Sequence, residues 1–410
     1  MKKNLLILST RDERGEGHGW SYIKYFENLG FNTDFICLLR GYEDTSKYII
    51  DTLNPYNLRY LYYKFMYTMG KLLFAPFKDM RWFYKGIDYA THKDIIKRID
   101  KNPDYIIITS YQHYLSPKSI YQLWMETKAT MIFSMVDEKI LSGGCAYPYR
   151  NCKGYETGCK KCPLYPYGKF IPQKIYNKKV RYFTKMPFHL IGTGYDLHKA
   201  TMVPFLKDKI KHKSVGVPDI PFTMTKVEAR KRFNISENDF IIMAGAVNVL
   251  NPDKGFKELV DALNIFSKNI KSERPVTLLL LGKIIPEFNI AGNIKICSPG
   301  FLDLEGLFTA YYACDIYVSP SVEDSGPFMV NYAIACGRPV IAFPVGIALD
   351  LVIKKQTGWI AELRNTQDFA NGVKYFYDLI DEQMCITEEL CKQHIASFRD
   401  KKWYNFMLEK

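Results

Sequence analysis

The sequence predicts an α/β protein built from two Rossmann-like domains that face each other. Three observations predict it: short apolar runs alternate with helical patterns, the alternation recurs in both halves of the 410-residue chain, and each half has a strand closed by a glycine-containing turn. In the first half, Asn4 to Ser9 reads as a buried strand. The glycine-rich turn Arg14-Gly15-Glu16-Gly17-His18-Gly19 follows, then a helical stretch through Trp20, Ile23, Phe26 and Leu29. Phe35 to Leu39, Tyr105 to Thr109 and Thr130 to Asp137 read as further strands of a parallel sheet. The stretch from Tyr42 to Tyr89 is crowded with Tyr, Phe, Leu and Met among Lys and Arg. It reads either as an inserted helical pair packed on the sheet or as an interfacial amphipathic helix touching a bilayer.

The second half repeats the scheme. Phe240 to Gly245, Val276 to Leu281, Ile294 to Cys297, Ile316 to Ser319, Pro339 to Phe343 and Gly358 to Ala361 read as strands. Lys257 to Phe266, Leu307 to Cys314 and Phe328 to Cys336 read as the helices between them. The junction is expected around Val215 to Asp219, giving domains 1–217 and 218–385, with helices in 386–410 expected to cross back to the first domain.

Composition bounds the function classes. Apolar residues at 47% and charged residues at 24% are the balance of a soluble globular chain, which excludes disordered and collagen-like proteins. No stretch approaches the roughly 20 apolar residues of a spanning helix. The opening MKKNLLILST loses its apolar character at Arg11, so a first strand is expected rather than an export signal, and with it a reducing cytoplasm. The net charge of +13 is local: residues 139 to 215 carry 16 basic and 3 acidic side chains. Such a patch points to a phosphate-bearing partner, an anionic membrane or nucleic acid, or else to a merely solvated face. Nucleic acid is disfavoured, because the aromatic residues lack an RNP-like or zinc-finger arrangement.

Four of the ten cysteines, Cys145, Cys152, Cys159 and Cys162, crowd into one Gly-, Tyr- and Pro-rich loop. Four thiolates within eighteen residues suit tetrahedral Zn²⁺ with no open position, a structural site. A disulfide, an iron–sulfur centre and free thiols are the other readings. In the first turn, the spacing G-x-G-x-G departs from the dinucleotide fingerprint, so Gly15 and Gly17 are better read as letting a donor phosphate or acceptor approach the backbone.

The most specific segment runs from Ser319 to Pro327, Ser-Pro-Ser-Val-Glu-Asp-Ser-Gly-Pro, between a strand and a helix. Free N–H groups at a helix start favour phosphate, and neighbouring carboxylates accept hydrogen bonds from hydroxyls. A sugar nucleotide carries both.

From Ser319 to Gly358 the chain resembles the family 4 retaining glycosyltransferases, which have the GT-B fold. It is closest to the branch that assembles capsule, exopolysaccharide and the O-antigen of lipopolysaccharide. The turn after the first strand, the Ser142-Gly143-Gly144-Cys145 loop, Val215-Gly216-Val217-Pro218-Asp219, and Gly245-Ala246 followed by Lys254-Gly255 resemble the family too.

The resemblance implies a glycosyltransferase that moves a sugar, with retention, from a UDP- or GDP-sugar to a glycan or lipid-linked acceptor. It implies no catalytic metal. Lys254 would lie against the pyrophosphate, where an ammonium offsets leaving-group charge. Ala246-Val247-Asn248 stands where the family usually has an arginine. Glu323 would be the first acid of the E-x7-E pattern, with Asn331 in the second place; the shifted register makes the pair Asp324 and Tyr332. Ser325, Gly326, Pro327 and Phe328 would complete the donor loop with Gly245. Gly346 and Asp350 are read as approaching the donor cleft, with Asp350 equally readable as a helix cap. His113 and Asp137 are the candidates for the N-terminal residues that touch the reacting sugar. The implied setting is cytoplasmic, peripheral on the inner face of the membrane. A nucleotide-sugar epimerase and a non-catalytic sugar-nucleotide or glycan binder are the alternatives.

Overall fold

The computed structural model describes residues 2–11, 18–40, 47–74, 83–84, 86–148, 152–164, 170–270, 274–292, 294–324, 326, 328–399 and 402–408. The chain divides into two compact units. One comprises Met1–Gly192 and Asp196–Lys213, the other Thr193–Tyr195 and Ser214–Lys410.

Among the described residues, the first unit is built on seven strands: β1 Asn4–Arg11, β2 Asn32–Leu39, β3 Lys47–Ile50, β4 Tyr105–Ile108, β5 Thr130–Ser134, β6 His189–Gly192 and β7 Ile210–Lys213. They lie in the order β3-β2-β1-β4-β5-β6-β7, and every pairing is parallel. The strand centres are buried outright: Leu6, Leu8, Ile36, Leu38, Ile106 and Met131 share one core with Phe133 and Leu190. Near-continuous apolar runs are what a sheet covered on both faces requires.

Three strands differ from the sequence reading. Lys47–Ile50 falls within the stretch expected to be helical, but Ile49 and Ile50 bury into the core while Lys47 bonds Asp34 and Asp100 at 2.9 and 2.7 Å. The strands β6 and β7 have four residues each. The sequence of β7, Ile-Lys-His-Lys, is that of a lysine-blunted edge strand, which carries no apolar run to read. In addition, β5 stops at Ser134, and Asp137 caps the 3-10 turn Glu138–Ile140 instead of ending the strand.

The second unit has six strands among its described residues: β8 Phe240–Gly245, β9 Val276–Leu281, β10 Ile294–Gly300, β11 Ile316–Ser319, β12 Val340–Ala342 and β13 Gly358–Ile360. Their order is β10-β9-β8-β11-β12-β13, again all parallel. Side chains alternate between two buried layers. Phe240, Ile242 and Ala244 pack on one face with Leu278, Val318 and Ile341. Ile241 and Met243 pack on the other with Leu279, Tyr317 and Val340. Asp315, just before β11, accepts hydrogen bonds from Arg230 Nη2 at 2.8 Å, from the Ile241 N–H at 2.7 Å and from Lys226 Nζ at 3.1 Å. One buried carboxylate thus ties the starts of β8 and β11 to the helix Lys226–Arg232. Residues 386–410 belong to this unit.

The basic segment is not a uniform surface. Lys179 is wholly buried and donates to the carbonyls of Lys139 and Ser142. Lys139 pairs with Asp137, and Lys199 reaches the buried Glu138 at 2.6 Å. Lys209 and Lys211 donate to backbone carbonyls. Lys174, Lys178 and Arg181 remain exposed.

Candidate functional site

The chain of the second unit runs from β8 outwards to β10, then returns to β11 on the other side of β8. Where the order reverses, the loops leaving adjacent strands diverge and leave a crevice at their carboxyl ends, the place where open α/β sheets bind ligands. Gly245 ends β8 there. A Cβ on it would stand 3.0 Å from the Leu281 side chain and 3.2 Å from Met329, so a larger residue would need these neighbours to give way.

The segment after β8 forms the 3-10 turn Pro252–Lys254, capped by Asn251 Oδ1 accepting from Asp253 N. Gly255 then turns with φ +65°, and a Cβ at this position would overlap the Pro320 carbonyl oxygen. This close approach brings the β8 loop onto the β11 loop. The Asp253 carbonyl accepts from Val322 N at 2.9 Å, and Lys254 Nζ stands 2.6 Å from Asp324 Oδ2. Asp324 is the more enclosed partner, with 11% of its side chain exposed against 34% for Lys254. Its other oxygen accepts from Gly326 N at 3.1 Å.

Of the predicted donor residues, Lys254, Asp324 and Gly326 meet, through contacts the sequence did not disclose. Lys254 is paired with Asp324, so an entering anion would share or displace that carboxylate. Glu323 is partly exposed on the same loop. Asn331, 3% exposed in the helix Phe328–Ala335, donates from Nδ2 to the Gly216 carbonyl at 2.5 Å. That amide hydrogen is spent on fixing the segment around Gly216. Phe328 is half-exposed, with its ring against Tyr332. Asp350 lies in the short helix Ala348–Leu351 and accepts from Gly194 N at 2.7 Å. Gly15, Gly17, Ser325 and Pro327 lie outside the described residues.

In the first unit, a small pocket at the ends of β4 and β5 is lined by Thr109, Gln112, Ser134 and Asp137 among others. His113 is not part of that lining. It takes φ +65°, and its ring meets Tyr84 edge-on at 5.0 Å. The Tyr84 hydroxyl donates to Asp88 at 2.6 Å. Burial pushes the Asp88 carboxyl up to about 6, against the opposing pull of Tyr84, Lys178 and Lys179. Gln112, Tyr84 and Asp88 escaped the sequence reading: Gln112 adjoins the singled-out histidine, whereas Tyr84 and Asp88 are joined to it only by the fold.

The four loop cysteines lie within electrostatic range of one another. Gly154 N donates to Cys152 Sγ at 3.3 Å and Gly143 N to Cys159 Sγ at 3.1 Å. Backbone N–H groups aimed at sulfur suit thiolates, and four thiols are a soft donor set fit for zinc. As placed, no three His, Cys, Asp or Glu side chains among the described residues converge to hold a metal ion. Binding would require the sulfurs to draw together.

Residues 238–378 match the family described as glycosyl transferases group 1, and that segment contains Gly245, Lys254, Glu323, Asp324 and Asn331. Over its length the chain is similar to sucrose-phosphate synthase from Thermosynechococcus elongatus, at TM-score 0.63 and 14% identity, covering 99% of this chain and 97% of that one. It is also similar to Anabaena HepE in complex with UDP and glucose, at TM-score 0.60 and 13% identity, covering 99% and 98%. The fold is GT-B. A third GT-B likeness is to WaaG, a glycosyltransferase involved in lipopolysaccharide biosynthesis, at TM-score 0.58 and 11% identity, covering 98% and 96%. No curated protein matches the sequence. The group 1 match falls on the unit whose two loops meet at Lys254 and Asp324. Glycosyl transfer is thus supported at the level of this family segment and the GT-B fold.

Proposed function

We propose that the protein transfers a sugar from a nucleoside diphosphate sugar to a glycan or lipid-linked acceptor, with retention of configuration, in surface polysaccharide assembly. The observation that carries the reading is the Lys254–Asp324 contact at the strand-order reversal of the group 1 segment. Lys254 would turn from Asp324 to the donor's diphosphate, where its fixed positive charge stabilises the leaving group. Asp324 and Glu323 would accept hydrogen bonds from the sugar hydroxyls. With no residue placed as an attacking nucleophile in this reading, the departing phosphate oxygen takes the acceptor's proton. The likeness to HepE bound to UDP-glucose supports a nucleotide sugar as donor. The cysteine loop would bind one structural Zn²⁺, a reading that rests on its donor set.

The test is a panel of UDP-, GDP- and dTDP-sugars with lipid-linked oligosaccharide acceptors, read by acceptor mass and by release of nucleoside diphosphate. A gain of one sugar mass with diphosphate release is expected. Epimerised donor, or binding without turnover, would overturn the transfer reading.

A further inference from the structure

The helix Leu58–Phe74 of the first unit presents two apolar faces, one packed on the core and one largely exposed. Tyr60, Tyr63 and Met66 pack against the core, and Tyr63 meets Tyr89 at 4.8 Å. Leu58, Leu61, Tyr62, Phe65, Met69 and Leu72 follow the spacing i, i+3, i+4, i+7, i+11, i+14, which draws one stripe along a helix. All six are exposed, Leu58 to 83%, Phe65 to 62% and Leu72 to 65%. Isolated exposed apolar side chains need no explanation, but a continuous stripe over four turns of helix does. The packed face ties the helix to the fold; of the stripe, Tyr62 also reaches inward and meets Tyr89 edge-on at 6.2 Å, while the stripe as a whole stays exposed.

The charges on the helix are Arg59, Lys64 and Lys71, with no acid between Leu58 and Phe74. Arg59 is held by Asp94, with both guanidinium nitrogens 2.9 Å from the carboxylate, and also donates to the Tyr89 carbonyl. That clamp fixes the start of the helix with its stripe turned outward. Lys64 is exposed beside the stripe. Among the described residues no helix is long and apolar enough to cross a membrane. An apolar, Tyr- and Phe-containing stripe on a helix without acids, with the exposed Lys64 beside it, is the pattern of a helix lying in the headgroup region of an anionic bilayer.

We propose that this helix docks the protein onto an anionic phospholipid surface, with the stripe in the acyl boundary and Lys64 at the phosphates. The inference stands apart from the transferase reading, because it needs no donor and no turnover. It also relocates the membrane contact from the basic segment, where several lysines are engaged within the fold.

The test is co-sedimentation of the full chain with phosphatidylcholine vesicles, with and without one-third phosphatidylglycerol. The wild type is expected to bind the anionic vesicles, and more weakly as salt rises. Leu61→Glu/Phe65→Glu is expected to lower partitioning at least about tenfold. The milder Phe65→Ala/Leu72→Ala gives an intermediate loss, and because these side chains are exposed the thermal unfolding midpoint should hold. Lys174→Glu/Lys178→Glu/Arg181→Glu, on the exposed basic helix, should change partitioning less than the stripe variants. Unchanged binding in both stripe variants would overturn the proposal. So would wild-type protein that ignores anionic vesicles but self-associates through the stripe in sedimentation velocity.

Discussion

Lys254 and Asp324 come from different loops, 70 residues apart, and meet at 2.6 Å over the point where the strand order of the second unit reverses. Two short loops are locked together there by the backbone contact of Asp253 with Val322 and by the absence of a Cβ at Gly255. The cation is thereby positioned before any ligand arrives.

Gly255→Ala tests that lock. An alanine at φ +65° meets backbone strain and the Pro320 carbonyl together. The variant should lose about 1–3 kcal/mol of stability, read as a lower urea midpoint, and should bind nucleotide more weakly. Unchanged stability would mean that the loops are not held by this contact.

Arg230→Ala should be among the most damaging changes in the second unit. The guanidinium and Asp315 are 3% and 5% exposed at the side chain, so its loss leaves a carboxylate buried with weaker compensation. A cost of about 3–5 kcal/mol is expected in equilibrium denaturation. A loss under 1 kcal/mol would show that Lys226 and the Ile241 N–H suffice.

Acid should loosen the anchor of the exposed helix. Burial raises the Asp94 carboxyl, but the hydrogen bonds from Arg59 and Thr91 outweigh it and hold the group at about 2. The folded value lies below the usual carboxylate value near 4, so its contribution is complete above about pH 4 and is lost as pH falls towards 2. Asp94→Asn should flatten that part of the stability profile. An identical acid limb in the variant would remove Asp94 from the anchor.

Zinc is tested on protein purified without chelator. Elemental analysis should find about one zinc per chain, falling in Cys159→Ser and in Cys162→Ser. Metal-free protein with four titratable thiols would contradict the site.

Most of the second unit was legible because its strands are continuous apolar runs buried on both faces; Phe240–Gly245, Val276–Leu281 and Ile316–Ser319 match the sequence reading residue for residue. The strand Ile210–Lys213 was not, because an edge strand displays charge where a central one displays valine or leucine. Lys254 and Asp324 were each singled out, yet their pairing is a product of Gly255's turn and of strand order, neither of which a linear motif records. Asn331 stands in the second place of the resembled acidic pattern; the fold turns its amide to Gly216. The stripe from Leu58 to Leu72 was visible as aromatic density, but only packing reveals which face of that helix the core leaves uncovered.

The most direct measurement is donor kcat/KM for Lys254→Ala beside the wild type, on whichever sugar nucleotide the panel identifies. Losing one leaving-group stabiliser should lower it by roughly two to three orders of magnitude, with thermal stability close to wild type. A variant that turns over like the wild type would contradict the account, because the lysine at the meeting of the two loops would then take no part in the reaction.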